Sequence, residues 1–221
     1  MKALSSLAKF IGQYQDWLSL VKNYGLKWSA RNGDDVIIAR LCKTSNASEI
    51  YEWVKNLKSV FPEFRDFIDL LSISGMRFTE TVLSYNLIVK MSKKEKLHEY
   101  YDAQKGILEH YRFKEVFLRR TKKVFISFAP RELIERISEN KILTEDAIRN
   151  KVKRRGIPRR FSDTRELFGT LATKYLTDTE TDFLQGRVST VFLKHYFNPL
   201  LLDNLKTRAF RVIDEITNQI C

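Results

Sequence analysis

Apolar positions along the chain recur mostly at helical spacing. Leu7, Phe10, Ile11, Tyr14, Leu18 and Val21 share one face, so residues 1–30 read as helix with Gly25 as the stop. The polar run Arg31-Asn32-Gly33-Asp34-Asp35 is the best linker, and VIIARL (36–41) can be extended. Asn46, followed by Glu49, has the pattern of a helix N-terminus. Ile50, Trp53, Val54, Leu57, Val60 and Phe61 then form an apolar face. Pro62 restarts a helix that buries Phe64, Phe67, Ile68 and Leu71. Gly75 closes it and leaves Arg77 just beyond its end, and TETVLSYNLIVKM (79–91) is helical again.

The pattern changes over 114–128. KEVFLRR and KVFISF are β-branched and aromatic runs around Thr121-Lys122, the one hairpin the sequence predicts. From Pro130 the helical period returns in RELIERISEN and in TEDAIRNKVKRRG. Further helices are expected from about Arg165 to Tyr175, around 180–185, and leading to Tyr196, with a turn at Gly186 and a break at Asn198-Pro199. The last helix, 200–219, carries Leu201, Leu205, Phe210, Val212, Ile213 and Ile216. That is more apolar surface than a solvated tail needs, so it packs on its own domain or on a neighbouring protomer. The expected fold is mainly α with a small antiparallel β-hairpin.

Composition narrows the class. With 43% hydrophobic and 12% aromatic residues, 221 residues can bury a substantial core. No stretch of about 18 apolar residues exists, and the first residues lack a continuous apolar run. No membrane span or signal peptide is therefore expected. Cys42 and Cys221 are too few and too far apart for a disulfide framework or a zinc site, which points to a cytoplasmic protein. The charge changes the picture most. Lys and Arg total 39 against 27 Asp and Glu, a formal +12. Such an excess suits a polyanion, because each neutralised phosphate releases counterions. A membrane surface fits less well, since no strongly basic amphipathic segment has a lipid-facing aromatic edge.

Several chemistries lack their residues. His98, His110 and His195 are scattered, and there is no HExxH, CxxC or carboxylate cluster, so no metal and no cofactor is expected. Phosphate loops of the GxxxxGK[ST] or GxGxxG type and a GxSxG elbow are absent as well. What remains is an ordered set of cations and a tyrosine. SGMRFTE (74–80) contains Arg77. FSDTRELFGTLAT (161–173) contains Arg165. FLQGRVSTVFLKHYFNP (183–199) contains Arg187 and Tyr196, with Tyr196 ten positions after Gly186 and 31 after Arg165. Lys122 lies on the hairpin between the first and second of these segments.

In this order and spacing the segments resemble the boxes of the tyrosine recombinases, the phage integrase family. SGMRFTE is similar to the first box, T/S-G-hydrophobic-R-x-x-E, FSDTRELFGTLAT to HxLRHTFAT, and the third segment to LGHxxxxTTxxYxH. QGR in place of LGH, and HY at the nucleophile, look like the integrases of spindle-shaped archaeal viruses and archaeal plasmids. The resemblance covers about residues 43–215. It implies a catalytic domain over 41–221, preceded over 1–40 by the tail of a core-binding domain and a linker. It also implies Tyr196 as nucleophile, Arg77, Arg165 and Arg187 as a phosphate clamp, and Lys122 as general acid, with Lys123 a rival. The implied partners are double-stranded DNA and further copies of the chain, a tetramer on paired sites and a monomer without DNA. One position departs from the family: three residues before the second arginine, where His or Lys is usual, stands Ser162. Arg159 and Arg160 are candidates to supply that charge.

The residue types suit the chemistry. Arginine's planar fork binds two non-bridging phosphate oxygens and stays charged at any working pH. Donors already aimed at developing charge stabilise the transition state. A tyrosine nucleophile conserves the phosphodiester bond in a covalent link, and a lysine can protonate the leaving oxygen. The basic run Lys151, Lys153, Arg154, Arg155, Arg159 and Arg160 would grip flanking phosphates without reading bases. Two other functions remain open. One is a non-catalytic basic helical DNA-binding regulator, which would leave no covalent adduct. The other is a type IB topoisomerase-like enzyme, which would need no paired sites.

Overall fold

Gly12 divides the first expected helix in two. The computed structural model describes residues 2–26, 38, 47–119, 122–158, 160–187 and 202–221. In it α1 (Lys2–Phe10) and α2 (Tyr14–Asn23) stand where a single helix over 1–30 was expected. Gly12 adopts a left-handed φ of +76°, a helix-terminating conformation that glycine reaches without a Cβ penalty. The chain separates into two compact units, Met1–Ser45 and Asn46–Cys221. Asn46, and all of 36–41 except Ile38, lie outside the described residues.

The second unit runs through α3 (Ala47–Val60), a 3-10 turn at Pro62–Phe64, α4 (Arg65–Ile73) and α5 (Phe78–Ser92). Next come β1 (Tyr101–Asp102), β2 (Ile107–Leu108), the single-turn α6 (Lys114–Phe117), β3 (Leu118–Arg119), β4 (Lys122–Lys123) and β5 (Ser127–Phe128). The helices α7 (Arg131–Ser138), α8 (Glu145–Arg154), α9 (Phe161–Ala172), α10 (Asp178–Leu184) and α11 (Leu202–Ile220) complete it. The unit is mainly helical, with a small three-stranded antiparallel sheet.

The core is organised around α4. Phe67, Ile68, Leu70, Leu71, Ser72 and Ile73 are all buried, as in a helix surrounded by others. Its neighbours are α3, α5, α7, α9 and α11. Its acids are matched from outside: Asp69 with Lys58 at 2.7 Å and Asp66 with Arg136 at 2.8 Å. The final helix belongs to the same core. Leu205, Ala209, Val212, Ile213, Ile216 and Ile220 are buried, so its apolar face is satisfied by its own domain.

The β structure departs from the sequence expectation. KEVF forms a helical turn, and only Leu118–Arg119 and Lys122–Lys123 pair as a hairpin, Arg119 opposite Lys122. Ser127–Phe128 turns away to join a sheet of order β1-β2-β5, with Ile107 opposite Phe128 and Tyr101 opposite Leu108. A buried polar chain fixes this sheet to α5. Ser127 Oγ lies 3.0 Å from His110 Nε2, His110 Nδ1 lies 2.8 Å from Tyr100 Oη, and Tyr100 Oη donates to Ser84 Oγ at 2.9 Å. Among the described residues no helix is long and apolar enough to cross a membrane.

Candidate functional site

Helix α9 starts at Phe161, four residues before the expected start, which places Arg165 in its second turn facing inward. The side chain is buried, with 8% of the residue exposed. Its Nη1 donates to the Gly75 carbonyl at 2.8 Å and its Nη2 to the Gln185 carbonyl at 2.6 Å. One side chain thus holds the α4–α5 turn and the end of α10. Burial, then the positive charges of Arg77 and Arg187, pull its pKa down to about 10, while Glu80 and Asp182 act in the opposite direction. It remains charged near neutral pH. The arginines of the first and third sequence segments therefore load the arginine of the second.

Arg77 stands at the N-cap of α5 because Gly75 turns the chain at the end of α4 with a φ of +64°. A Cβ on Gly75 would sit 2.5 Å from the Phe168 ring, so the turn presses directly on α9. Glu80, 1% exposed, accepts the Arg77 backbone N–H at 3.0 Å and its Nη1 at 2.9 Å. The last acid of SGMRFTE is thus the residue that aims the arginine, a role its spacing three residues later is suited to.

The third segment is built around Gln185 and Gly186. Gln185 is fully buried, and its Nε2 donates to the Arg165 carbonyl at 2.8 Å, closing a reciprocal pair with Arg165. Gly186 takes a φ of +62°, and a Cβ there would lie 2.5 Å from the Lys123 carbonyl oxygen. The β4 strand that carries Lys122 therefore lies against the QGR turn. Arg187 follows, half exposed, with Nη1 3.8 Å from Asp182. The Lys122 side chain, Tyr196, His195 and the helix expected to lead to Tyr196 lie outside the described residues.

Between Arg77 and Arg165 opens a cleft of about 220 Å³, lined by Arg77, Phe78, Arg149, Phe161, Ser162 and Arg165. Phe78 and Phe161 form its apolar wall, with ring centroids 4.5 Å apart, and Trp53 backs Phe161 edge-on at 5.5 Å. Ser162 lines the cleft. Arg160, expected beside it as a source of charge, is instead tied to Asp163 at 2.7 Å and to Glu49 at 3.4 Å. Arg159 lies outside the described residues. Sequence reasoning missed Arg149, because an Arg four residues after Glu145 on a polar helix reads as a surface ion pair. Only the tertiary packing brings it to Ser162.

Of the basic run, Lys153, Arg154 and Arg155 are exposed at the end of α8. Lys151 is engaged with Glu63 at 2.8 Å and lies over the Phe64 ring. Among the described residues no group of three His, Cys, Asp or Glu side chains could hold a metal ion. No family model, no curated protein and no solved structure matches the chain.

Proposed function

We propose that the chain cleaves and rejoins DNA as a tyrosine recombinase, through a 3′-phosphotyrosyl intermediate on Tyr196. The observation that carries this reading is the state of Arg165. It is buried, its guanidinium donates to two neutral carbonyls, and it is loaded by the charges of Arg77 and Arg187. An anion placed among the three would relieve that load, and a phosphodiester approaching its transition state gains negative charge where these donors converge. The packing of β4 on Gly186 supports a place for Lys122 at the same site.

In this mechanism Arg77, Arg165 and Arg187 bind the scissile phosphate. Tyr196 attacks phosphorus and releases its phenolic proton to solvent, and Lys122 protonates the departing 5′ oxygen and is reprotonated from solvent. Attack by a 5′ hydroxyl on the phosphotyrosine then restores the phosphodiester and frees the tyrosine, without a nucleotide cofactor. The partner is double-stranded DNA, with a tetramer forming on paired sites, as in integration of a viral or plasmid genome.

A nicked suicide duplex that traps the covalent step tests the reading. Wild-type protein is expected to give a slower-migrating protein–DNA band on denaturing electrophoresis, and Tyr196→Phe none. Arg165→Ala should slow band formation by about 10²–10³-fold, the usual effect of removing a transition-state donor. A band that survives in Tyr196→Phe refutes the assignment. DNA binding with no band in wild type identifies a regulator, and supercoil relaxation without paired sites identifies a topoisomerase.

A further inference from the structure

We infer that Arg149 is a phosphate ligand of the cleft, a guanidinium additional to Arg77, Arg165 and Arg187 that faces the anion from the side of Ser162. The cleft has three arginines in its wall, drawn from three separate elements: Arg77 from the start of α5, Arg149 from α8 and Arg165 from α9. Two aromatic rings and one hydroxyl complete the lining, and among the described residues no carboxylate lines it. A concave site of this composition selects an oxyanion. The rings exclude water on one side, and N–H donors supply the rest.

Arg149 is held in position before any ligand arrives. Its guanidinium stacks over the Phe78 ring at 4.3 Å, and its contact with Glu145 is loose, at 3.5 Å. A guanidinium has five N–H donors, so one long contact leaves most of its capacity for an anion. The helix that carries it is fixed relative to Arg77. Asn86 of α5 donates to the Leu143 carbonyl at 2.7 Å and accepts the Leu143 N–H at 2.8 Å, and Thr144 then caps α8 through the Ala147 N–H. Ser162 offers the cleft a neutral hydroxyl and no charge, and Arg160 is turned to Asp163 and Glu49. Among the described residues, Arg149 is the cation that lines the cleft besides Arg77 and Arg165.

The inference rests on the strand-transfer reading only in taking the phosphate to be that of DNA; the anion site itself does not depend on it. Inorganic phosphate is therefore the first probe, titrated into the full chain while arginine Nε–H resonances are followed by ¹H–¹⁵N NMR. Phosphate should shift the Arg149 and Arg165 signals together. Arg149→Gln should weaken phosphate binding about tenfold, the order expected for one charge-assisted contact. Arg149→Lys, which keeps the charge but not the planar fork, should recover part of it. Thermal midpoints within a few degrees of wild type would show that both variants are folded. On the suicide duplex, Arg149→Gln should slow the covalent step more than it weakens DNA binding. Phosphate affinity unchanged in Arg149→Gln, or no phosphate binding by wild type, overturns the inference. Arg149-dependent phosphate binding with no Tyr196-dependent adduct upholds it and refutes strand transfer instead.

Discussion

Gly186 is restricted to glycine by two separate demands. Its φ of +62° lies in the left-handed region, where a Cβ costs about 1–2 kcal/mol. Its Cα also sits so close to β4 that a Cβ would meet the Lys123 carbonyl oxygen at 2.5 Å. Gly156 isolates the first demand, because its φ is +68° and nothing lies within 4 Å of the Cβ position. Gly156→Ala should therefore cost about 1 kcal/mol, from backbone strain alone. Gly186→Ala should cost that and about 1–3 kcal/mol more, because a strand must move. It should also slow adduct formation further than Gly156→Ala does. Urea denaturation of the two variants compares them directly, and equal losses would mean the strand yields freely. At this scale the sequence was informative where a glycine, a spacing and a charge coincide, as at Gly75 and Arg77 or at Gly186 and Arg187. It was silent on Arg149, and it marked Gln185 only as part of QGR, without the bond to Arg165 that the fold supplies. Arg149 has no local pattern that separates it from an ordinary surface helix position.

His110 shows how one element is fastened to another. It is fully buried in the chain from Ser127 to Ser84, so the sheet and α5 share one hydrogen-bonded path. Burial holds its pKa down at about 3, and the ring stays neutral in the folded protein. In the unfolded chain it would titrate near 6.5. The unfolded state therefore binds the extra proton between these values. Stability contributed by this group is full above about pH 6.5 and is lost as the pH falls toward 3, by about 1.4 kcal/mol per unit. Between pH 7 and pH 5, before most carboxylates titrate, the loss should reach about 2 kcal/mol. Chemical denaturation across that range reads it, and His110→Gln should flatten the slope whatever it does to overall stability. The same slope in the variant would place the titration elsewhere. The sheet that His110 braces was not legible in the sequence. Its strands are two residues long, too short to show an alternating period. KVFISF read as one strand because its residues suit one, yet its start pairs backward with the Leu118–Arg119 strand and its end pairs with Ile107. The long helices were legible because their apolar stripes persist over several turns. Their boundaries shifted where a tertiary contact extended them, as with α9, whose first residue Phe161 packs on Trp53 and Phe78.

At the scale of the whole molecule the formal charge of +12 is divided between cations that are occupied and cations that face solvent. Lys151 and Arg160 are paired within the unit, and Arg208 forks onto Glu180, holding α11 to α10. Lys153, Arg154 and Arg155 project from the end of α8, the helix that also places Arg149 at the cleft. The proposed strand transfer needs a surface for the phosphates that flank the scissile one, and this exposed cationic helix end is a candidate for it. These three residues should then act by charge and not by sequence. Replacing all three with Gln should weaken binding to specific and random duplexes by similar factors. It should also make the slope of log affinity against log salt shallower by about 0.9 for each phosphate no longer neutralised, and so by up to about 3. Lys151→Gln should leave that slope nearly unchanged and appear as a small loss of stability, since its partner is Glu63. Fluorescence anisotropy at several salt concentrations separates the two cases. A triple variant with the wild-type slope would mean that the DNA crosses a different face. A change confined to one DNA sequence would mean that these side chains reach bases and not phosphates.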